Sequence, residues 1–381
     1  MAKRLVFVGG GHAHLTSLKN LTSFRKLGHE VVLISPSPYH YYSGMGPGML
    51  SGIYRPWEVR FHIKKLAENQ GATFLRDKVV KVDPNQHLLF LSSGEKVDYD
   101  IVSFNTGSEV PAEPLTAAPR ENVVTVKPVV NLLKAQYAIL DSIKNDRALD
   151  LIVVGGGPAG VEISGNLWRL LHENHGKGRV TLIGGKRLLA DAPDKVRNLA
   201  LESLVRRGFQ VVEGTHVKAI EDGMIRSSDG REFVFDMIFV AIGIRPSSLF
   251  LDSGIPTGAD GGLLVNSYLQ SVAYPEIFGG GDCISLQGHS LAKVGVYAVR
   301  QNPILYHNLL ASLEGGKMMT FSPQDYFLLI FNMGDGQGIF WKKDWAWKSR
   351  LAFLFKDYID RKFMRKFQVS GELDERFDSI E

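Results

Sequence analysis

The chain has only one cysteine, Cys283, in 381 residues. A single thiol excludes an internal disulfide, structural or catalytic, and fits a protein of a reducing compartment. The sequence also lacks any run of about 18 apolar residues, so no segment is predicted to cross a bilayer as a helix. The first strand is predicted from about Leu5, which leaves no room for a secretory signal peptide. These absences together predict a cytoplasmic protein.

Several chemical motifs are missing as well. The histidines do not show the paired spacing of a zinc site, and no metal centre is predicted. Neither a nucleophile elbow nor a Walker-type phosphate loop occurs. Basic residues gather near the C-terminus, but no recognition motif accompanies them, so nucleic acid is not expected as a partner.

Two glycine-rich turns of one kind are present. Residues 5–8 form an apolar run that enters Gly9-Gly10-Gly11, and residues 151–154 enter Gly155-Gly156-Gly157-Pro158-Ala159-Gly160. Each pattern predicts a buried strand, a tight turn and a helix whose first amides face a pyrophosphate. One such match is weak evidence for a dinucleotide site. Two in one chain predict two dinucleotides and electron transfer between them.

Both turns depart from the usual pattern. In the first, His14 takes the place of the third glycine, and Ser35 stands where an acid normally holds the adenosine ribose. The second keeps Gly155, Gly157 and Gly160, but Lys186 and Arg187 follow its second strand. Two basic residues there favour a ribose 2′-phosphate, and hence NADPH over NADH. The alternatives are that they are solvated loop charges, or that this fold no longer binds a nicotinamide nucleotide.

A third glycine segment, residues 279–281, precedes Asp282. Small residues let the backbone approach a pyrophosphate, and the carboxylate can accept a hydrogen bond from a ribitol hydroxyl. A helix is predicted from about Val294 to Leu313. Its first amides would face the flavin N1 and C2 carbonyl, where negative charge gathers on reduction.

The predicted fold class is α/β, with two Rossmann-like dinucleotide-binding domains and a C-terminal appendage. We expect an FAD domain in two segments, residues 1–116 and 246–320, around a nicotinamide nucleotide domain at residues 117–245. Residues 109–122 are interpreted as a linker. Residues 321–381 are expected to form a hairpin followed by a basic amphipathic helix.

As a set, these motifs resemble the FAD-dependent pyridine nucleotide-disulfide oxidoreductase superfamily. The resemblance covers residues 1–315 and rests on the motif stretches at 9–11, 105–107, 155–162, 243–246 and 281–282. Within it the chain looks most like the type II NADH dehydrogenase and sulfide:quinone oxidoreductase branch. The stretches at 9–14, 35–39, 42–45, 126–128 and 298–301 look closest to the flavoprotein module fused to selenide, water dikinase.

The resemblance implies a glutathione reductase-like fold and an FAD enzyme that takes hydride from NADH or NADPH. By resemblance, FAD would contact Gly9, Gly11, His12, Ala13, Ser35, Thr106, Gly107, Gly281 and Asp282. The nicotinamide nucleotide would lie over Gly155, Gly157 and Gly160, with Lys186 and Arg187 at its ribose. Glu162 matches the acid beside the nicotinamide and flavin, with a capping acid in the first turn of the helix as its alternative. Lys127 is a further catalytic candidate, with a surface lysine as its alternative.

Departures from that branch bear on the electron acceptor. Thiol-dependent members need two or three cysteines, so their mechanisms are excluded here. Of the glutamines on the quinone-side helix only Gln301 remains; Val296 and Arg300 stand in the other positions. A quinone is therefore one candidate acceptor and a selenium or sulfur species another. A flavin-binding regulatory module without nicotinamide turnover is the alternative from a different class.

The amino-acid composition of the C-terminal tail differs from that of the rest of the chain. Residues 326–331 and 339–341 predict a hairpin, and a helix is predicted from Trp345 to Phe367. Residues 342–366 contain nine Lys or Arg and three Asp, a net charge of +6. Basic residues interleaved with aromatic ones predict a peripheral contact with an anionic membrane on its inner face, through residues 342–367. The alternatives are packing on the flavin domain or a homodimer contact.

Overall fold

A computed structural model describes residues 2–111, 122–221 and 223–374. The linker interpretation and the 116/117 domain boundary fall largely on residues outside these ranges. The first segment contains β1 (Arg4–Val8), α1 (Leu15–Lys19), α2 (Leu21–Lys26), β2 (Glu30–Ile34), β3 (His40–Tyr41), α3 (Gly46–Leu50), β4 (Arg60–Phe61), α4 (Ile63–Glu68), β5 (Thr73–Leu75), β6 (Val79–Asp83), β7 (Leu88–Leu91), β8 (Lys96–Asp98) and β9 (Ile101–Phe104).

The second unit begins after residue 121. It contains β10 (Val123–Thr125), α5 (Val130–Lys144), β11 (Leu149–Val154), α6 (Pro158–Glu173), β12 (Gly178–Ile183), α7 (Asp194–Val205), β13 (Gln210–Val212), β14 (Val217–Glu221), β15 (Met224–Ser227), β16 (Glu232–Val234) and β17 (Met237–Val240). The chain then continues through α8 (Leu249–Asp252), β18 (Leu263–Val265), β19 (Ile277–Gly279), β20 (Ile284–Leu286) and α9 (Gly295–Glu314).

The two units share one architecture. The first has a parallel sheet in the order β19-β9-β1-β2-β5, and the second a parallel sheet in the order β10-β17-β11-β12-β13. Each also carries a three-stranded antiparallel sheet, β6-β7-β8 in the first and β14-β15-β16 in the second. Because β19 pairs with β9, the chain returns to the first unit after completing the second. The predicted doubly wound α/β fold is confirmed.

The central strands of both sheets are almost continuously apolar because helices cover both of their faces. The last four residues of β1 and of β11 are buried. Both strands end at the glycine turns. Each turn therefore lies at the carboxyl edge of its sheet, where ligands of such folds bind.

The tail differs from its prediction. It contains β21 (Leu329–Asn332), β22 (Gly338–Lys342), β23 (Trp345–Ser349) and α10 (Arg350–Phe367). The predicted helix from Trp345 is wrong in its first five residues, which form the third strand of an antiparallel sheet. Their burial alternates, with Trp345 and Trp347 exposed and Ala346 buried between them. Ser349 then caps α10, its hydroxyl accepting from the Ala352 amide at 3.0 Å.

Smaller differences concern other helices. The single helix predicted after the first glycine turn is divided into α1 and α2 at Asn20, whose side chain donates to the Thr16 carbonyl at 2.7 Å. The helix expected from Val294 to Leu313 begins and ends one residue later. Among the described residues, no helix is long and apolar enough to cross a membrane.

Candidate active site

Asn105, directly after β9, joins the first cofactor turn to the third. Its Oδ1 accepts from the Ala13 amide at 3.0 Å, and its Nδ2 donates to the Gly280 carbonyl at 2.6 Å. A Cβ atom on Gly11 would lie 2.2 Å from Asn105 Oδ1, and one on Gly281 would lie 2.5 Å from Asn105 Nδ2. Glycine is required at both positions because this side chain fills the space between the turns.

The first glycine turn forms although His14 stands in place of its third glycine. Gly9 has a φ of +85°, and a Cβ there would lie 2.4 Å from the Asn105 carbonyl oxygen. The His14 ring is fully buried and contacts the Gly9 carbonyl through Nδ1 at 2.6 Å and Ser103 Oγ through Nε2 at 2.8 Å. Burial lowers the pKa of His14 to about 4, so the ring is neutral at pH 7. Two imidazole hydrogen bonds thus replace the close backbone packing that glycine normally permits.

Asp282, which follows the third glycine segment, forms an ion pair with Lys127. Lys127 Nζ lies 2.5 Å from Asp282 Oδ2, and Ser108 Oγ donates to the same oxygen at 2.8 Å. Both charged side chains are mostly buried, with 23% and 13% of their surface exposed for Lys127 and Asp282. The alternative of a plain surface lysine is therefore wrong. The structure places Lys127 beside the carboxylate expected to meet the flavin ribitol.

Gln301 supports the same turn. Its Oε1 accepts from the Gly281 amide at 2.7 Å, and the side chain is buried. Cys283 is buried as well, and burial raises the pKa of its thiol, so it is not a thiolate at neutral pH. Of the remaining predicted contacts, Ser35 is buried at the end of β2 and Gly107 has a φ of +72°.

The second turn has the open amides that a pyrophosphate needs. A Cβ on Gly155 would lie 2.2 Å from the Ala241 carbonyl oxygen, and one on Gly160 would lie 1.8 Å from the Gly155 oxygen. A Cβ on Gly157, by contrast, would meet nothing within 4 Å. Gly157 is also the N-cap of α6 and has no side chain to cover the first amides. Two glycines close the turn and the third leaves room for a ligand, so these residues fit a dinucleotide.

The end of β12 is basic, and the acid nearest to it is already engaged. Lys186 is exposed, and Arg187 pairs with Asp194. Glu213, after β13, accepts from the Leu188 amide at 2.6 Å. Arg197 donates to both oxygens of Glu213 at 3.0 and 2.7 Å. Burial raises the pKa of Glu213, but these bonds lower it by more, so the net pKa lies below its ordinary value.

Glu162 lies on the second turn of α6 and reaches the tail. Its Oε1 accepts from the backbone amide of Asn332, the last residue of β21, at 2.7 Å. Burial raises the pKa of Glu162 to about 7, and the charge of Lys356 and the Asn332 amide oppose that rise. A carboxyl group that titrates near neutral pH is typical of a functional site.

The helix α10 packs on β21, as α6 does, and carries a buried polar cluster. Lys356 Nζ donates to Asp360 Oδ2 and to the Gly44 carbonyl, both at 2.6 Å. Tyr42 donates its hydroxyl proton to Asp360 Oδ1 at 3.0 Å. The sequence predicted a membrane contact for α10 but did not predict this buried cluster. The signal available was the i, i+4 spacing of a lysine and an aspartate on an otherwise apolar face.

The aromatic loop after β2 packs on the same helix. The ring of Tyr42 lies 5.2 Å from that of His12 and 5.0 Å from that of Phe363 on α10. His12 also makes an edge contact with His40 at 4.7 Å. These contacts connect the first cofactor turn to the tail.

Two glycine turns at the carboxyl edges of two parallel sheets are typical of a protein that binds two dinucleotides. A sequence profile of the pyridine nucleotide-disulphide oxidoreductases matches residues 3–307. The chain belongs to that family, as its motifs predicted.

Individual relatives agree with that assignment. Ferroptosis suppressor protein 1 of Taeniopygia guttata is 28% identical over 351 residues, covering 88% of each chain. The alternative NAD(P)H-ubiquinone oxidoreductase C1 of Arabidopsis thaliana is 26% identical over 369 residues, covering 84% of this chain and 70% of that protein. The crystal structure of the sulfide:quinone oxidoreductase of Aquifex aeolicus superposes with a TM-score of 0.79 at 18% identity, over 97% of this chain and 92% of that one.

The predicted cofactors and enzyme class are thereby confirmed. The protein is an FAD-dependent oxidoreductase that takes hydride from NADH or NADPH and passes electrons to a second acceptor. The closer resemblance to the module fused to selenide, water dikinase stays a prediction.

Proposed function

We propose that this oxidoreductase transfers electrons from NADPH to a quinone at a membrane surface. The observation that carries the proposal is the double role of α10. Its inner face packs on β21, whose Asn332 amide donates to Glu162, and its outer face is exposed and apolar. One helix thus connects the candidate site with the medium in which quinones dissolve. The name of the Arabidopsis relative, an NAD(P)H-ubiquinone oxidoreductase, supports the same acceptor class.

The two cofactor sites follow from the turns. FAD would be held by Gly9, Gly11, His12, Ala13, Ser35, Thr106, Gly107, Gly281 and Asp282, with Gln301 positioning the Gly281 amide. When bound, the flavin supplies hydride acceptance followed by electron release. Lys127 fixes the Asp282 carboxylate in place by a direct ion pair. The nicotinamide nucleotide would lie on Gly155, Gly157 and Gly160 at the start of α6.

Glu162 would act on the nicotinamide by charge. A dihydronicotinamide is neutral and becomes a cation when it loses hydride. A carboxylate fixed beside the ring stabilises that developing positive charge without moving. Glu162 meets the requirement because the Asn332 amide fixes one of its oxygens. Hydride transfer from the nicotinamide should therefore depend on the ionised form of Glu162, and its rate should increase as pH rises through about 7.

The preference for NADPH rests on the residues after β12. An acid that could accept both ribose hydroxyls is not free there, because Glu213 already bonds to Arg197 and to the Leu188 amide. Lys186 and Arg187 offer positive charge to a 2′-phosphate instead. Arg187 would exchange its contact with Asp194 for the phosphate.

The membrane contact rests on the outer face of α10 and on β23. Their exposed apolar side chains have exposed fractions from 38% to 75%: Trp345, Trp347, Leu351, Leu354, Phe355, Tyr358 and Ile359. Six exposed basic residues flank them: Lys342, Lys343, Arg350, Lys362, Arg365 and Lys366. An exposed apolar stripe with a basic border is typical of a helix that lies in the surface of an anionic bilayer. We propose the inner face of the membrane as its location.

The catalytic proposal is tested by anaerobic stopped-flow spectroscopy of the purified yellow protein. NADPH should bleach the flavin rapidly and NADH more slowly, and a short-chain ubiquinone should then restore the colour. Lys186→Ala should weaken the binding of NADPH without weakening the binding of NADH. Absence of bleaching by either nucleotide contradicts the proposal and leaves a flavin-binding module. Bleaching without reoxidation by quinone leaves a selenium or sulfur species as acceptor.

The membrane contact has its own test. The protein should co-sediment with vesicles of anionic phospholipid and less with phosphatidylcholine vesicles. Leu351→Glu with Leu354→Glu should abolish sedimentation, whereas Leu251→Glu, a change at an exposed leucine far along the chain, should not. A soluble wild-type protein that forms dimers in sedimentation velocity would instead assign this face to a homodimer.

A further inference from the structure

Glu213, the residue after β13, borders the place where folds of this kind hold the ribose of a nucleotide. An acid at the end of the second strand normally accepts the ribose hydroxyls there. In this chain that strand, β12, is followed by Gly184, which has no side chain. A Cβ atom on Gly184 would lie 3.8 Å from Glu213 Cγ. A carboxyl group from the neighbouring strand therefore reaches the space beside Gly184.

Direct contacts connect this ribose corner to the second glycine turn. The Leu189 amide donates to the Gly156 carbonyl at 2.7 Å, and a Cβ atom on Gly156 would lie 2.3 Å from the Gly184 carbonyl oxygen. The preceding amide, that of Leu188, donates to Glu213 Oε1 at 2.6 Å. The Glu213 carboxylate therefore belongs to the same site as the turn expected to hold the pyrophosphate.

Arg197 on α7 binds that carboxylate. Its Nη2 lies 3.0 Å from Glu213 Oε1 and 2.7 Å from Oε2, and the two side chains are mostly buried, with 17% and 27% of their surface exposed. Both oxygens are thereby engaged, and the negative charge is balanced by the guanidinium. An acid is present at the ribose corner, but it does not offer the free carboxylate that binds the ribose hydroxyls of NADH.

The other charges at this corner favour a phosphate. Arg187 pairs with Asp194, which like Arg197 lies on α7. Both acids of the corner, Asp194 and Glu213, are therefore paired with arginines. Lys186, by contrast, is exposed and has no ion-pair partner among the residues that the structure describes.

We propose that Arg197 is a specificity-determining residue of the nucleotide site, which neutralises Glu213 and so makes this corner accept the 2′-phosphate of NADPH. The proposal rests on the proposed binding of a nicotinamide nucleotide at the second glycine turn. With Arg197 in place, the phosphate meets Lys186 and a balanced carboxylate. Without Arg197 it would meet a bare carboxylate, and like charges so close together strongly oppose binding. The bare carboxylate would at the same time be free to accept the ribose hydroxyls of NADH.

A purely structural role of the pair predicts a different result. If Arg197 only attaches α7 to β13, its loss should lower stability or weaken the binding of both nucleotides alike. If Arg197 neutralises Glu213, its loss should change the two affinities in opposite directions. Removal of the Glu213 charge as well should then cancel the effect. The ratio of the two affinities therefore separates the two roles.

The experiment measures the dissociation constants of NADP⁺ and NAD⁺ by isothermal titration calorimetry of the FAD-loaded protein. The oxidised nucleotides are used because they do not reduce the flavin. Arg197→Met should weaken the binding of NADP⁺ about tenfold or more and tighten the binding of NAD⁺. Glu213→Gln should tighten the binding of NADP⁺ and leave that of NAD⁺ unchanged. The double variant should return the ratio to the wild-type value, and Arg206→Met, a change at an exposed arginine directly after α7, is the matched control.

A proportional loss of both affinities in Arg197→Met, or a ratio that the double variant does not restore, would overturn the proposal. If Arg197→Met does not fold, Glu213→Gln decides alone, because equal effects on both nucleotides would overturn it. A wild-type protein that binds neither nucleotide contradicts the proposed function and this proposal together. Binding of both nucleotides with the same ratio in every variant contradicts only the role of Arg197.

Discussion

The backbone amide of Asn332 donates a hydrogen bond to Glu162 Oε1 at 2.7 Å. The two residues belong to different parts of the molecule, since Asn332 ends a strand of the tail and Glu162 lies on α6 of the second nucleotide-binding unit. Around this bond, the Asn166 side chain bonds to the Asn332 carbonyl at 3.1 Å, and Ser51 donates to Asn166 Oδ1 at 2.7 Å. Residues of three chain regions therefore meet at the candidate site, and the tail is part of it.

Asn332→Ala should separate the stability of this junction from the ionisation of Glu162. The Asn332 side chain bonds to Asn166 Oδ1 at 3.2 Å and accepts from the Gly334 amide at 3.0 Å, all of it buried. Its loss should reduce the free energy of unfolding by about 1–3 kcal/mol, as measured by urea titration. The backbone amide remains in the variant, so the pH dependence of flavin bleaching should not change. A shifted pH profile with unchanged stability would contradict this account.

Gly160→Ala and Gly157→Ala form a matched pair in one turn. A Cβ at position 160 would lie 1.8 Å from the Gly155 oxygen, so the turn must open, at a cost of about 1–3 kcal/mol or more. We expect a yellow, FAD-loaded protein of lower stability that no nicotinamide nucleotide bleaches. At position 157 a Cβ meets nothing within 4 Å, so stability should be unchanged while KM for the nucleotide rises. Normal KM in both variants would remove the nucleotide from this turn.

Asp282→Ala should remove FAD. The carboxylate is the expected partner of the ribitol, and its loss also leaves Lys127 partly buried without its counter-ion. The ratio of flavin to protein absorbance after purification measures the occupancy, and Asp325→Ala, at an exposed aspartate, serves as control. Full yellow occupancy of Asp282→Ala would contradict the assignment of FAD to this turn.

The sequence predicted the features that depend on neighbours along the chain. Apolar runs that enter glycine turns specify a strand, a turn and a helix locally, and both turns are present as predicted at Gly9 and Gly155. Repetition of the pattern, together with the segment before Asp282, was enough to predict two nucleotide-binding units with the chain returning to the first. Basic residues interleaved with aromatic ones likewise predicted an exposed amphipathic tail helix.

Features that depend on distant contacts were missed. The hydrogen bonds of Asn105 to two different turns arise only when β9 is set between β1 and β19. For Lys127 the sequence left a catalytic role and a surface position open, because its partner Asp282 lies 155 residues further along, in the returning segment. At Trp345, tryptophans two residues apart fit a strand, but the helical spacing of the residues after them concealed that period.

Acid should destabilise the protein through its buried histidines. Burial lowers the pKa of His12 and His14 to about 4, and the charge of Lys127 contributes for His12. Burial, then His12 and Lys127, lowers the pKa of His40 too. In the unfolded chain a histidine takes up a proton near pH 6.5, whereas the folded rings of His12 and His14 stay neutral until about pH 4. The unfolded state therefore binds more protons between these values, and stability is lost as pH falls through them.

His12→Phe tests this directly. The Nε2 atom of His12 has no hydrogen-bond partner within the described part of the chain, and its ring packs against Tyr42 and Phe363, so an aromatic replacement keeps the contacts. The wild type should lose about 3 kcal/mol through His12 alone between pH 7 and pH 4, seen as a fall in Tm. The variant should lose correspondingly less, and a change at the exposed His289, His289→Gln, should leave the pH dependence as in the wild type. Identical Tm curves for wild type and His12→Phe would show that His12 is not held neutral by the fold.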